Sequence, residues 1–369
     1  MRRSRATPAA MPVTSPGALE LLSGEPAYAP ALAALRAAPG RWLVTGGAGF
    51  IGSHLVDSLL GLGQEVVVLD DLSTGYLANL DDVRARVGAA AARLHFVQGD
   101  LRDAGAVAAA AEGARVILHH AAAASVPGSI DDPVTTHDIN VTGFLHVLQA
   151  ARAAGARVVY AASSASYGDD PADVKVEERL GRPLSLYAAS KTANELYAAA
   201  FGAAYGLETV GLRYFNVFGA RQDPRGAYAA VIPAWIDALV RGDRCHVHGD
   251  GLQTRDFCHV ANVVGANLLA ATATAPTALG GVFNVGTGAR TTLLELHEAI
   301  VGALREALPD RAGLASAAPE FGPERPGDVR HSCADVGRAR AVLGFEPVVD
   351  LRAGIGHTLG WFLRGAGAA

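Results

Sequence analysis

The feature that most constrains this chain is a set of glycines that interrupts an apolar segment, which then resumes with helical spacing. In the sequence RWLVTGGAGFIGSHL, which begins at Arg41, Gly46, Gly49 and Gly52 recur at every third position. Glycine is unfavourable inside a strand or a helix, so these positions require the absence of a side chain. Between a strand and a helix, such glycines permit a tight turn, close approach of a pyrophosphate and close packing of the helix. The pattern predicts a dinucleotide-binding turn.

A second apolar segment follows the predicted helix and ends in an acid. The residues Glu65–Asp70 form an apolar run with a charge at each end, which is typical of a buried strand in a parallel sheet. An acidic side chain at the end of this strand can bind both hydroxyls of an adenosine ribose, and it repels a 2′-phosphate. Asp70 therefore favours NAD over NADP as the cofactor.

Strands and helices alternate along much of the chain. This alternation predicts an α/β fold, a Rossmann-type doubly wound parallel sheet with a smaller mixed α/β C-terminal substrate lobe. Further strands are predicted at 94–97, 116–118, 158–161, 209–213 and 281–285, and helices at 142–154 and 187–205. We expect an N-terminal extension over 1–40 (a loose tail, then a short helix near 28–38), an NAD-binding domain over 41–217 to which 255–285 return, and a substrate lobe over 218–254 and 286–369.

Composition narrows the class of protein. Half of the 369 residues are hydrophobic and the formal net charge is −5, which disfavours a nucleic-acid partner. No apolar stretch is long enough to predict a membrane span. Three widely spaced cysteines favour a reduced, cytoplasmic protein without a structural zinc site. His119 and His120 are adjacent on a predicted strand and point to opposite faces, so we expect no metal there.

Two further strand ends carry candidate cofactor contacts. Asp100 and Leu101 follow one predicted strand and are placed to contact adenine, although an ordinary helix cap explains Asp100 nearly as well. The sequence HHAAAASV ends the next strand with small residues. A cofactor can therefore lie close to Ala121 and Ala122.

A tyrosine and a lysine carry the candidate chemistry. Tyr187 and Lys191 form a Y-x-x-x-K pattern, and residues four apart lie on one face of a helix. An ammonium beside a phenol lowers the pKa of the phenol from about 10 toward neutrality, and positively charged NAD bound alongside adds to this effect. The result is a general base suited to a sugar hydroxyl. Ser163 and Ser164 end a strand upstream and can hydrogen-bond the same hydroxyl.

The sequence resembles the extended short-chain dehydrogenase/reductase family. The resemblance rests on TGGAGFIGSHL, SSASYG, YAASK and RYFNVFG, and it extends from about residue 42 to the C-terminus. Within that family the chain is similar to UDP-sugar 4-epimerases of the bacterial UDP-N-acetylglucosamine 4-epimerase type. The closest matching segments are SVPGSIDDP, RYFNVFGARQDPRGAYAAVIP and GDVRHS, together with the N-terminal extension.

The resemblance implies a mechanism and a set of site residues. Tyr187 takes the proton of the sugar 4-hydroxyl while hydride leaves C4 for a tightly held NAD, and the 4-keto sugar turns before both are returned. The implied catalytic residues are Tyr187, Lys191, Ser163 and Ser164. The NAD-binding residues are Gly46, Gly49, Phe50, Ile51, Asp70, Asp71, Ser73, Thr74, Gly75, Asp100, Leu101, Ala121, Ala122, Asn140, Tyr187, Lys191 and Tyr214. The UDP-sugar residues are Ser125, Ser163, Ser164, Tyr187, Asn216, Tyr228, Val231, Arg255, Arg325, Asp328 and Ser332.

Ser332 bears most directly on which sugar is bound. It follows GDVRH, where the resemblance implies a bulky tyrosine in epimerases confined to non-acetylated sugars. A serine leaves room for a 2-acetamido group, which favours UDP-N-acetylglucosamine and UDP-N-acetylgalactosamine as the substrates. Pocket size discriminates by modest free energies, so UDP-glucose and UDP-galactose stay open as substrates. Ala124 and Gly128 depart from the family pattern, in which a glycine and a basic residue are common.

Two other functions stay open. A UDP-glucuronate 4-epimerase would use Arg182 or Arg225 to meet the sugar carboxylate. A non-catalytic NAD-binding regulator would be expected to have lost Tyr187 or Lys191, and both are present. Related dehydratases and decarboxylases carry a carboxylate after the catalytic serine, whereas Ser163 is followed here by Ser164 and an alanine.

The resemblance also implies a homodimer. The helices predicted at 142–154 and 187–205 would pair with their copies in a four-helix bundle, and their alanine-rich faces permit close packing. Burial of both helices within one subunit explains these faces equally well at the level of sequence. The expected partners are therefore a UDP-sugar and a second copy of the chain.

Overall fold

A computed structural model describes residues 15–224, 230–310, 318–324 and 329–366 of the chain. Its strands are β1 (Arg41–Thr45), β2 (Glu65–Asp70), β3 (Leu94–Gln98), β4 (Val116–His119), β5 (Arg157–Ser163), β6 (Val174–Lys175), β7 (Thr209–Tyr214), β8 (Val217–Phe218), β9 (His246–His248), β10 (Thr254–Arg255), β11 (Cys258–His259), β12 (Val282–Val285), β13 (Thr291–Thr292), β14 (Glu320–Gly322) and β15 (His331–Ala334). Its helices are α1 (Ala18–Ser23), α2 (Ala29–Ala37), α3 (Phe50–Gly61), α4 (Leu77–Val87), α5 (Ala104–Ala111), α6 (Val126–Asp131), α7 (Pro133–His137), α8 (Gly143–Ala154), α9 (Leu186–Tyr205), α10 (Val231–Arg241), α11 (Val260–Thr272), α12 (Leu293–Ala307), α13 (Gly337–Leu343) and α14 (Leu351–Ala366).

A seven-stranded parallel sheet in the order β12-β7-β5-β4-β1-β2-β3 forms the centre of the molecule. Successive residues of β2 enter different cores. Val66 and Val68 pack on the side of α3 and α11, whereas Val67 and Leu69 pack on the side of α5 and α8. Burial on both faces is the reason that these strands are continuous apolar runs. The predicted Rossmann-type fold is confirmed, and the predicted strands all occur.

The strands bring their carboxyl ends to one edge of this sheet. Thr45 of β1 is in register with His119 of β4, and Ser163 of β5 with Tyr214 of β7. Asp70 ends β2 on the other side of β1. Open parallel sheets bind ligands outside the carboxyl ends of their strands, where the order of the strands reverses. This edge therefore contains the predicted cofactor and catalytic residues.

A smaller assembly of short strands and helices lies beside the sheet. β10 pairs with β13 and β15, and β15 also pairs with β6. Arg255 of β10 is in register with Ser332 of β15. Helices α10, α12 and α14 bury Ile236, Ile300 and Leu359 in a third core. β12, from the segment 255–285, adds to the large sheet beside β7.

The described part of the N-terminal extension is helical. Residues 15–27 were expected to be a loose tail, and this expectation is wrong because they include α1. Leu22 and Tyr28 are buried against α11, where a Cβ atom on Gly265 would lie 2.6 Å from the Tyr28 ring. The Tyr28 hydroxyl donates to the Glu346 carbonyl at 2.5 Å. The absence of a side chain on Gly265 thus admits the extension to the core, and α2 matches the helix expected near residue 28.

Among the described residues, none of the helices combines the length and apolarity needed to span a membrane. The three cysteines are buried free thiols.

Candidate active site

A cavity of about 460 Å³ lies along the carboxyl edge of the sheet. All of the predicted cofactor residues except Asn140 line it. Its walls also include His120, Ala123, Ala124 and Ser163, of which only Ser163 had been assigned a role from the sequence. The volume lies in the range of small-molecule and cofactor sites.

The glycine turn leaves room for a ligand at the start of α3. Gly46 has a φ of +70°, and a Cβ atom on it would lie 2.7 Å from the Ala121 amide nitrogen. A Cβ atom on Gly52 would overlap the Gly46 carbonyl, so Gly52 allows the helix to pack on the turn. No side chain caps the amides of the first turn of α3. These amides and the positive end of the helix can therefore hold a phosphate.

Asp70 lies beside this turn with its carboxylate held by the backbone. One oxygen accepts the Ala48 amide and the other accepts the Leu72 amide, both at 2.9 Å. Burial raises the pKa of Asp70, while the two amides act in the opposite direction. A Cβ atom on Gly75 would lie 2.9 Å from Asp70, so the loop after β2 folds closely over the acid. The acid is thus oriented toward the cavity that it lines.

Asp100 and Leu101 line the same cavity at its β3 end. The Arg102 guanidinium binds the Asp100 carboxylate at 2.6 Å, and hydrogen bonding to this side chain lowers the pKa of Asp100. The alternative reading of Asp100 as a helix cap is wrong. Asp103 caps α5 instead, accepting the amides of Gly105 and Ala106.

The tyrosine–lysine pair meets Ser163 at the opposite end of the cavity. Tyr187 lies in the first turn of α9 and lines the cavity together with Lys191 and Ser163. Ser163 Oγ accepts the Ala165 amide at 3.1 Å, which leaves the serine proton to be donated. Lys191 Nζ lies 5.9 Å from the centre of the Tyr187 ring and donates to the Ala161 carbonyl at 2.9 Å.

Burial controls the ionisation of this pair. It raises the pKa of Tyr187, with the Ser163 hydrogen bond acting in the opposite direction. It also lowers the pKa of Lys191 to about 8. Without NAD, the pKa of the phenol is therefore not brought toward neutrality, and the prediction for this pair, which includes the charge of bound NAD, stays a prediction. Additional positive charge in the cavity is needed to stabilise the phenolate.

Ser164 does not share the position of Ser163. It starts a 3₁₀ turn, Ser164–Tyr167, after the end of β5 and does not line either of the two cavities described here. The strand end thus presents one serine to the cofactor cavity.

Asn140 lies one layer behind the cavity, in a π-helical turn between α7 and α8. Its side-chain oxygen accepts the Ala123 amide at 2.8 Å, and its nitrogen donates to the Ala123 carbonyl and to Ser190. Asn140 therefore fixes the wall formed by Ala123 and joins it to α9.

The two adjacent histidines have separate partners. His119 Nδ1 lies 2.9 Å from the Thr45 hydroxyl, and His120 Nε2 lies 2.8 Å from the Tyr214 hydroxyl. Burial lowers the pKa of both, to about 3 for His120. Among the described residues, no group of three or more metal-binding side chains is brought together.

A second cavity, of about 500 Å³, adjoins the first and shares Val217 with it. Asn216, Val231 and Arg255 of the predicted substrate residues line it. The Arg255 guanidinium donates to the Thr254 carbonyl at 2.9 Å, which fixes its position at the wall. Tyr228, Arg325 and Asp328, and also Arg225, lie outside the described residues.

Ser332 and Ser125 lie outside the walls of both cavities. Ser332 is the partner of Arg255 across two paired strands, so both side chains lie on one face. Ser125 caps α6 by accepting the Gly128 amide at 2.9 Å. A Cβ atom on Gly128 would lie 3.1 Å from Ser125, so a longer residue there would press on this cap. Arg182, considered for a sugar carboxylate, pairs with Asp169 on the surface.

Sequence reasoning missed Asp256, which follows Arg255. Its buried carboxylate accepts from the Thr287 amide and hydroxyl and from the amides of Gly288 and Ala334. It thereby holds β10, β15 and the end of β12 together. The adjacent Arg255 in TRDF pointed to this segment. The donors to Asp256 come from residues far along the chain, so the sequence around Asp256 does not reveal them.

The fold and the cavity define a Rossmann-type dinucleotide-binding enzyme. Comparison with known proteins specifies it further. The profile described as NAD dependent epimerase/dehydratase family matches residues 42–286. The chain belongs to this family, and to the extended short-chain dehydrogenase/reductases within it. Its cofactor is NAD.

Relatives and solved structures agree with this assignment. The chain is 43% identical over 325 residues to the UDP-glucose 4-epimerase of Mycolicibacterium smegmatis, covering 87% of this chain and 98% of that protein. It is 35% identical to the UDP-N-acetylglucosamine 4-epimerase of Methanobrevibacter ruminantium M1, solved with UDP-N-acetylmuramic acid, with a TM-score of 0.80 over 89% of this chain and 99% of that one. The Thermus thermophilus UDP-glucose 4-epimerase, solved with NAD, is 37% identical with a TM-score of 0.75, covering 88% and 99% of the two chains.

Proposed function

We propose that this protein is an NAD-dependent UDP-sugar 4-epimerase that interconverts UDP-N-acetylglucosamine and UDP-N-acetylgalactosamine. The observation that carries the proposal is that Tyr187, Lys191 and Ser163 together line the dinucleotide cavity. A second cavity that contains Arg255 adjoins it through Val217. A dinucleotide and a sugar nucleotide would thus occupy neighbouring spaces.

The first cavity fits NAD on its own geometry. The turn leaves no room for a Cβ atom on Gly46 or Gly52, and the uncapped start of α3 offers amides to a pyrophosphate. Asp70 offers an acceptor to a ribose. The residues that would hold NAD are those that line this cavity: Gly46, Gly49, Phe50, Ile51, Asp70, Asp71, Ser73, Thr74, Gly75, Asp100, Leu101, Ala121, Ala122, Tyr187, Lys191 and Tyr214, with Asn140 behind them.

The chemistry of the chain's own residues is proton transfer and orientation. Bound NAD would supply a reversible hydride acceptor for C4 of the sugar. Tyr187 Oη would remove the proton of the 4-hydroxyl and later return it. Ser163 would donate a hydrogen bond to the same oxygen, because its own acceptor position is filled by the Ala165 amide. Lys191, fixed to Ala161, would stabilise the phenolate through space.

The second cavity would hold the nucleoside diphosphate. The Arg255 guanidinium suits a diphosphate because it offers several donors in a fixed plane. Asn216 and Val231 line the same space. Tyr228, Arg325 and Asp328 remain the further residues that we assign to the UDP moiety, and Ser125 and Ser164 those that we assign to the sugar.

The preference for an acetylated sugar rests on Ser332. Its register with Arg255 places a small side chain beside the residue assigned to the diphosphate. A serine would leave space for a 2-acetamido group. The discriminating experiment is proton NMR of UDP-N-acetylglucosamine with purified protein and no added NAD. The anomeric signal of UDP-N-acetylgalactosamine is the expected result, whereas conversion of UDP-glucose or UDP-glucuronate alone would overturn the choice of sugar.

We also propose that the enzyme is a homodimer formed through α8 and α9. Leu196 is 69% exposed and Tyr197 is 41% exposed on α9. Small exposed residues at Ala189 and Ala200 extend the same side of the helix. A surface of large and small apolar side chains along one long helix is suited to packing against its copy.

A further inference from the structure

A short segment connects β8 to the loop that follows β2. Residues 219–223 follow β8, which continues the chain from β7, and they reach the loop that follows β2. In the sheet, β7 and β2 are separated by β5, β4 and β1. We call residues 219–223 the clasp.

The clasp lies along α3, the helix that begins at the glycine turn. A Cβ atom on Gly219 would lie 3.5 Å from the Phe50 ring. One turn further along α3, His54 Nε2 lies 2.8 Å from the Ala220 carbonyl and donates to it. The clasp therefore contacts successive turns of the helix.

Arg221 anchors the clasp by charge. Its side chain is buried and binds Asp57 of α3 at 3.0 Å and Asp82 of α4 at 2.6 Å. Arg86 of α4 shares Asp57 at 3.0 Å. Arg221 has a φ of +64°, a left-handed conformation that is unfavourable for residues other than glycine. The ion pairs hold this backbone in place.

The far end of the clasp reaches the cavity wall through Tyr76. The Tyr76 hydroxyl donates to the Asp223 carboxylate at 2.6 Å. The Tyr76 amide donates to the Ala48 carbonyl of the glycine turn at 3.0 Å. The three residues before Tyr76, 73–75, line the dinucleotide cavity beside Asp70. Tyr76, which ends this loop, is therefore bonded both to the clasp, through Asp223, and to the glycine turn, through Ala48.

We propose that the clasp retains NAD by fixing the loop 71–76 over its adenosine end. Asp223 and Tyr76 are positioning residues in this proposal, because neither lines the cavity. Loosening their hydrogen bond frees the loop and speeds release of the dinucleotide, without altering the groups that carry out proton transfer.

The rate of cofactor release tests this role. Full-length protein loaded with NADH is mixed with excess NAD⁺, and the loss of bound-NADH fluorescence gives the release rate. Because Tyr76 is half exposed, its hydrogen bond is expected to have ordinary net strength, which predicts about fivefold faster release for Tyr76→Phe. Tyr205→Phe is the matched control, because Tyr205 is equally exposed and contacts Arg152 through its ring rather than its hydroxyl. It should release NADH at the wild-type rate.

A second variant shows whether the Tyr76–Asp223 hydrogen bond itself, rather than a general loss of stability, controls the rate of NADH release. Asp223→Ala should speed release to a similar extent, and the double variant should be no faster than the faster single variant. In excess NAD⁺ the unfolding midpoints should stay within about 2 °C of the wild type, since the Tyr76 side chain is exposed. Release by Tyr76→Phe at the wild-type rate overturns the proposal, and so do effects of the two variants that multiply.

Discussion

Lys191 and Tyr187 lie one turn apart on α9, and the lysine reaches past the tyrosine ring to the Ala161 carbonyl of β5. The ammonium is therefore fixed by the sheet and acts on the phenol through space. Because burial raises the pKa of Tyr187, a second positive charge is required for the phenolate. The nicotinamide ring of NAD⁺ is a source of that charge, so proton removal by Tyr187 in the proposed mechanism would depend on the oxidised cofactor.

The first prediction concerns Tyr187. Tyr187→Phe removes the proton acceptor and keeps the ring that lines the cavity. We expect turnover to fall by about 10³-fold or more, since general acid–base groups contribute about 10²–10⁴-fold. NAD should stay bound, as shown by the absorbance of the purified protein. Turnover within tenfold of the wild type would contradict the assigned role.

The second prediction concerns the cost of burying Lys191. Its pKa is lowered to about 8, so the folded protein holds the proton less tightly than the unfolded chain. Lys191→Met should abolish turnover and raise the free energy of unfolding at pH 7 by about 1–3 kcal/mol. Because the folded wild type loses this charge between pH 8 and the ordinary lysine pKa, its own stability rises over that range and the advantage of the variant shrinks. Urea unfolding at pH 7 and pH 10 measures the free energies of unfolding of the wild type and of Lys191→Met. A stability difference between them that grows with pH would contradict the prediction.

The third prediction concerns the glycine turn. Gly52→Ala places a methyl group against the Gly46 carbonyl and should destabilise the fold by about 1–3 kcal/mol, with loss of bound NAD. Gly302→Ala on α12 is the control, because a Cβ atom there meets nothing within 4 Å. It should stabilise the protein by about 0.5–1 kcal/mol. Thermal unfolding and the NAD content of both variants give the comparison.

The fourth prediction concerns the choice of sugar. Ser332→Tyr should lower kcat/KM for UDP-N-acetylglucosamine about tenfold or more relative to UDP-glucose, because a ring beside Arg255 would fill the space for the acetamido group. Ser332→Ala, which keeps the space, should leave the ratio unchanged. Equal losses on both sugars in Ser332→Tyr would indicate a structural effect.

The fifth prediction concerns assembly. Leu196→Glu should convert the proposed dimer to a monomer in light scattering, since it places a charge on the exposed apolar side of α9. Val97→Glu, at an exposed position on the edge strand β3, should leave the mass unchanged. A wild-type protein that is itself monomeric would disprove the proposed interface.

The parts of the fold that depend on local pattern were predictable from sequence. The run Glu65–Asp70 is apolar because it is buried on both faces, and the glycine spacing reflects contacts within one turn. Contacts between residues that are far apart in the sequence could not be predicted in this way. Nothing local to Asp256 reveals its four donors, and nothing local to Tyr28 reveals that Gly265 makes room for it. The spacing of Tyr187 to Lys191 is visible in the sequence, whereas the burial that raises the pKa of Tyr187 depends on the whole fold.

In the proposed function, the residues that recognise the substrate and the residues that carry the reaction lie on different elements. Arg255 and Ser332 lie on short strands outside the seven-stranded sheet, whereas Ser163 and Tyr187 are held by β5 and α9. If these assignments hold, substitutions on the short strands would change the preferred nucleotide sugar and leave Ser163 and Tyr187 in place. A new substrate preference could then evolve through a few substitutions on the short strands, with the catalytic residues unchanged.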